Sequence, residues 1–407
     1  METVQTPANQ TRQATGFLLL LSLCHGVVDL CGGAVVALLP TLRAEFALSY
    51  TMVGVISLCS NLTSSLTQPL FGILSDRSQR RWLLPVSLLL AGLGLAAVGW
   101  TSSFPLLLLA VMISALGTAS FHPEGANAAR RITAGGRNTA MSVFSVGGNI
   151  GNALGPLYIG LLLSLGGSVR ATAWAFLLPG ILSILILRLL PIWQTREAQI
   201  AAQAPAQAAE LPPANWLGTC LITLVVILRS MINVGIVTYI PFFWIDVLGN
   251  AKETAVYVQV MYLMAGVAGT LLGARAADRI GSRNSLMLSF GLLAPLQWLL
   301  PHLSGLPLLI CLFAAGFLVV STFTVTLVLT QEYMPRNPGL ASGLNLGLGF
   351  GMGGVGTWLM GMVADQWGII AVFNALAALV LPAFATSALL PPTPQQKAPQ
   401  PAAHTGA

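Results

Sequence analysis

Leu116–Arg137 reads LGTASFHPEGANAARRITAGGR: a long apolar run ends, and His122, Pro123 and Glu124 follow before the charged exit Arg130-Arg131. Ionisable groups inside an apolar span are costly. They persist where they line water, pair with each other, or handle protons and ligands. Pro123 lacks a backbone N–H, so the helix is expected to bend or loosen there. A bent, titratable segment within a membrane suits a gated path. The plainer reading is a structural ion pair that pins two helices together.

Working outward, the chain of 407 residues is 55% hydrophobic and only 7% charged, with mean hydropathy +0.81. Apolar runs of about 20 residues recur along it, the mark of a polytopic helical membrane protein. The net charge of +6 is not a nucleic-acid footprint, because the basic residues fall in short loops between apolar runs. Cys24, Cys31, Cys59, Cys220 and Cys311 all lie within apolar runs and read as small buried hydrophobes. The sequon Asn61-Leu62-Thr63 lies within an expected span and is read as inaccessible. The polar start Met1–Thr15 and the length of the first apolar run argue against a cleavable leader.

Twelve spans are expected. The first six are Gly16–Leu42, Tyr50–Leu74, Trp82–Thr101, Pro105–Ala129, Thr139–Leu165 and Ala171–Leu190. The second six are Asn215–Val247, Ala255–Ala276, Ser285–Leu303, Pro307–Gln331, Leu340–Ala364 and Ile370–Leu390. The chain then divides into a cytoplasmic segment 1–15, a six-helix bundle 16–191, an Ala/Gln/Pro-rich linker 192–214, a second bundle 215–390 and a disordered tail 391–407. Placing both termini inside puts fourteen Lys and Arg on the cytoplasmic side, against Arg43, Arg170 and Lys252 outside. That asymmetry sets the expected topology.

The candidate site residues lie at mid-membrane. His25 and Asp29 are four apart, on one face of the first span. With His122 and Glu124 they form a candidate titratable cluster. Histidine titrates near neutrality, so members that trade protons with two compartments can couple transport to proton entry. Asp29 is read as the carrier ahead of Glu124. Zinc ligation is the weaker alternative, and no metal or cofactor is expected. Arg229 stands alone, fourteen residues beyond Asn215 in span seven. It cannot easily snorkel from there, so it is expected to face a cavity. A fixed cation there suits a carboxylate, phosphate or phosphonate; an internal salt bridge to Asp29 or Glu332 is the alternative. Tyr239 and Tyr262, with Asp29 and His122, complete the expected substrate wall. Glu332 near the end of span ten is expected to gate against Arg130 or Arg131.

The halves repeat. Gly72-Ile73-Leu74-Ser75-Asp76-Arg77 follows span two, and Ala274-Arg275-Ala276-Ala277-Asp278-Arg279 follows span eight. Each carboxylate can latch neighbouring helices through Arg or a helix N-terminus. Six-span halves with this loop resemble the major facilitator superfamily over the whole chain. The resemblance implies two bundles rocking about a central site, with Asp76, Arg77, Arg81, Asp278 and Arg279 in the gating loops. In span five, Gly147, Gly151, Gly155 and Pro156 resemble the antiporter motif of drug exporters, in part; close helix packing explains the same spacing. Span eleven, with GFGMGGVG at Gly349–Gly356, is its counterpart.

The segments SLCHGVVDL, SLTQPLFGILSDR, FHPEGANAARR, FSVGGNIGNALGP, QEYMP and GFGMGGVG more narrowly resemble the fosmidomycin resistance family of bacterial exporters. That resemblance implies proton-coupled efflux of a small antibiotic or metabolite, an anionic one included, from a monomeric carrier in a bacterial inner membrane. Uptake of an organic anion, and a non-transporting sensor or scaffold, are the competing readings. An enzyme is not expected: the chain has no nucleotide-binding Gly loop and no nucleophile elbow.

Overall fold

The structure, a computed structural model, describes residues 7–77, 81–132, 137–201 and 212–393. Among them all regular structure is helical. In chain order the helices are α1 (Pro7–Glu45), α2 (Tyr50–Arg77), α3 (Leu83–Val98), α4 (Phe104–Ile132), α5 (Arg137–Gly166) and α6 (Leu177–Ala201). The second half holds α7 (Trp216–Phe242), α8 (Ala255–Ile280), α9 (Ser282–Leu299) and α10 (Gly305–Tyr333). Helix α11 begins at Pro338–Gly343, passes a π-helical turn at Leu344–Leu348 and continues from Gly349. At Gly368 the backbone takes φ 81° and ψ 170°, which breaks the helix and begins α12, residues 369–388. Only glycine adopts that conformation without strain.

Large apolar side chains stand exposed on the outside of the bundle. Ile181 (62% exposed), Leu306 (68%) and Ile310 (62%) are examples. Such surface is costly in water and free in lipid, where each helix satisfies its own backbone. A helix stands at each expected span; among the described residues eight helical segments are long and apolar enough to cross a membrane, α3 is shorter than expected, and several others run longer. Helix α6 is the clearest case. It extends to Ala201, so 192–201, read from sequence as linker, is helical; the Glu, Ala and Gln there are good helix formers. Residues 202–211 and 394–407 lie outside the described residues.

The two halves share a packing plan. In the first, α1 lies along α5, and α4 packs on α2 and α3; in the second, α7 lies along α11, and α10 packs on α8 and α9. Between halves, α2 packs on α11 and α5 on α8. The α1–α5 seam is unusually close. A Cβ at Gly151 would land on the backbone of Gly26, and one at Gly155 would sit 2.6 Å from Ala34 N. Small residues let these backbones meet, as the spacing of Gly147, Gly151 and Gly155 implied. Pro156 follows Gly155 directly and lies within α5.

One end of the molecule carries Arg131, Arg279 and Arg336 and is termed the basic face. At the opposite face the two halves are tied together. Arg43 Nη1 donates to Asp246 Oδ2 at 3.1 Å, and Tyr50 Oη donates to the same oxygen at 2.6 Å. The backbone N–H groups of Tyr50 and Thr51 donate to Asp365 at 2.8 Å each. These ties continue inward to a hydrogen bond from Ser65 Oγ to the Gly347 carbonyl.

Candidate functional site: a polar cavity between the halves

A cavity of about 280 Å³ lies between the halves. Its wall takes Asp29 from α1, His122 from α4, Asn149 and Asn152 from α5, Arg229 and Asn233 from α7, Phe323 from α10 and Asn345 from α11.

One wall is a three-membered network. His25 Nδ1 lies 2.7 Å from the Phe144 carbonyl, and its ring stacks on Phe144 at 4.0 Å. A carbonyl can only accept, so Nδ1 carries the hydrogen and Nε2 turns to the network. His25 Nε2 lies 3.2 Å from His122 Nδ1 and 3.3 Å from Asp29 Oδ2, and His122 Nε2 lies 3.2 Å from Asp29 Oδ1. With two neutral imidazoles and an ionised Asp29, His122 has one hydrogen for two acceptors. One further proton, on His25 Nε2, closes the network: Nε2–H then donates to Asp29 Oδ2 and to His122 Nδ1, and His122 Nε2–H donates to Asp29 Oδ1. Gly148 makes room for this arrangement, since a Cβ there would sit 2.5 Å from Asp29 Oδ2. The ligand-type atoms of His25, Asp29 and His122 also lie within 4.8 Å of one another, a spacing a divalent ion could bridge; the added proton accounts for it without one.

Glu124 is not a member of this cluster, which corrects the four-residue cluster expected from sequence. It is fully buried and ion-paired with Arg81, which is also fully buried. The reason is helical geometry: two residues turn an α-helix by about 200°, so His122 and Glu124 point to opposite sides of α4. Arg81, expected in a gate, is thereby committed to α4.

On the other wall Arg229 is 5% exposed. Its Nη2 donates to Ser230 Oγ at 3.1 Å, its guanidinium lies 5.0 Å from the Phe323 ring centroid, and its buried Nε has no partner. Among the described residues no carboxylate lies within salt-bridge distance, so neither Asp29 nor Glu332 neutralises it.

Tyr239 and Tyr262, expected in the wall, lie outside the lining. Tyr239 Oη donates to the Thr357 carbonyl at 2.7 Å, which ties α7 to α11. Tyr262 Oη donates to Asn233 Oδ1 at 3.0 Å and acts from behind that lining residue. Asp278 and Arg279 are exposed. Glu332 and Arg131 form no ion pair with each other; the side chains of Arg130, Asp76 and Arg77 lie outside the described residues. Pro123 continues within α4. Sequence reasoning missed the asparagines 233 and 345 altogether. Their signal was a set of amides inside otherwise apolar spans, each costly to bury without partners.

Two pseudo-symmetric helical halves around a polar, charge-bearing cavity define a membrane transporter of small molecules. The chain belongs to the Major Facilitator Superfamily, whose sequence profile matches residues 21–346 and 254–406. It is 31% identical over 379 residues to the Fosmidomycin resistance protein of Escherichia coli (strain K12), covering 92% of this chain and 93% of that one. It is 30% identical over 401 residues to an uncharacterized MFS-type transporter, YfnC, of Bacillus subtilis (strain 168), covering 97% and 96%. Among solved structures, the nucleoside transporter NupG superposes with a TM-score of 0.75 at 14% identity, over 92% of this chain and all of that one. These relatives are transporters and not enzymes.

Proposed function

We propose that this protein is a proton-coupled antiporter that exports a small anionic compound, of the fosmidomycin type, across a bacterial inner membrane. The observation that carries this reading is Arg229: a buried cation in the cavity wall with no protein carboxylate beside it. A buried charge without a counter-ion is strongly disfavoured, and a substrate anion supplies one. The His25–Asp29–His122 network supports the coupling. It stands in the same cavity and is complete with one added proton. Proton and anion then bias the same pair of conformations, which is what exchange requires.

Both termini are cytoplasmic in this reading, because that topology puts fourteen Lys and Arg of the sequence inside against three outside. The Arg43, Tyr50, Asp246 and Asp365 ties then hold the halves together on the outer side of the cavity. The carrier works as a monomer, with protons, substrate and lipid as its partners.

Everted membrane vesicles with a lumenal pH indicator test this. Adding fosmidomycin to respiring vesicles is expected to make the lumen more alkaline, and Arg229→Gln to abolish the signal. A pH change of opposite sign would mean import. No flux and no pH response would favour the sensor reading.

A further inference from the structure

Asn345 lies in the π-helical turn of α11 and is 2% exposed. Its Nδ2 donates to Thr330 Oγ1 at 3.1 Å. Thr330 Oγ1 spends its own hydrogen on the Thr326 carbonyl at 2.7 Å, so it can only accept from Asn345. That fixes the amide orientation: the NH2 faces Thr330, and Oδ1 is left without any partner. Inserted π turns are frequent at functional sites, where they re-aim side chains.

The cavity wall therefore holds an orphaned buried donor, Arg229 Nε, and an orphaned buried acceptor, Asn345 Oδ1. Gly349 lies one turn beyond Asn345 and close to the guanidinium, since a Cβ there would sit 3.7 Å from Arg229 Nη2. The two orphans do not satisfy each other. A ligand that satisfies both, once these two lining side chains turn to meet it, presents an anionic oxygen to Arg229 and a hydrogen-bond donor to Asn345.

We infer that Asn345 selects oxyanions that keep an O–H on the charged group, such as a singly ionised phosphonate or phosphate monoester, over equally charged anions that have none. This rests on the anion reading of Arg229. A sulfonate of the same size and charge offers only acceptors. It sets an anionic oxygen against Asn345 Oδ1 and leaves that acceptor unpaired, a loss large enough to read as about a tenfold difference in affinity.

The test uses the purified full-length protein in lipid nanodiscs and two probes, singly ionised n-propylphosphonate and propane-1-sulfonate. The wild type is expected to bind the phosphonate about tenfold or more tighter. Asn345→Leu is expected to reduce that preference below about twofold while sulfonate binding holds. Arg229→Gln should lose both. Equal wild-type affinities, or a full preference retained in folded Asn345→Leu, would overturn the inference and leave the anion reading standing. Wild-type binding of neither probe would overturn both. Should Asn345→Leu not fold, Asn345→Ala gives the same readout.

Discussion

Arg81 and Glu124 form a wholly buried ion pair that joins the turn before α3 to the C-terminal third of α4. Removing one partner strands a charge in protein, which typically costs about 3–5 kcal/mol. Glu124→Ala and Arg81→Ala are each expected to lower the thermal midpoint of the detergent-solubilised protein markedly. The double replacement Arg81→Met with Glu124→Leu should recover most of that loss. If the double variant is as unstable as the sum of the singles, the pair is not the unit described.

The three-membered network makes a separate prediction about coupling. Asp29→Asn removes the anion that the added proton neutralises, and is expected to leave transport flat with pH while substrate still binds at Arg229. His122→Gln should act in the same direction, because His122 bridges the other two. Transport measured in proteoliposomes across a pH series decides; an unaltered pH dependence in both variants would move the proton site elsewhere.

Gly148 and Gly151 lie in one helix but should fail differently. A side chain at Gly151 drives α1 and α5 apart at the Gly26 backbone, so Gly151→Val is expected to destabilise by about 1–3 kcal/mol or more. Gly148→Ala meets the His25 ring and Asp29 carboxylate instead, and should impair coupling at a smaller cost in stability. Thermal unfolding paired with the proteoliposome assay separates the two. Equal loss of stability in both would remove the special role of Gly148.

The ties at the opposite face predict a conformational bias. Asp365 accepts from two backbone N–H groups at the first turn of α2, a contact usually worth about 0.5–2 kcal/mol. Asp365→Ala is expected to raise the opposite-face-open population severalfold. A single-cysteine variant with Asn61→Cys, whose position lines the cavity, reports this by faster labelling from that side. Labelling at an unchanged rate would mean that Asp365 does not hold the closure.

The sequence alone fixed the class of architecture. Apolar runs of spanning length leave the backbone no option but helices in lipid, and repeated Asp-Arg loops marked the two halves. It also singled out Asp29, His122 and Arg229, which line the cavity, and His25, which touches two of them, because isolated polar groups in apolar runs are visible without coordinates. Rotation about a helix axis was harder to read at short range, and Glu124 fell to the Arg81 side of α4 for that reason. Only the tertiary structure decided which groups are partnered. Arg229 lacking a carboxylate, Tyr239 spent on Thr357 and Asn345 holding a free acceptor all depend on helices distant in sequence. Hydrogen-bond satisfaction belongs to the assembled bundle, so no local pattern encodes it.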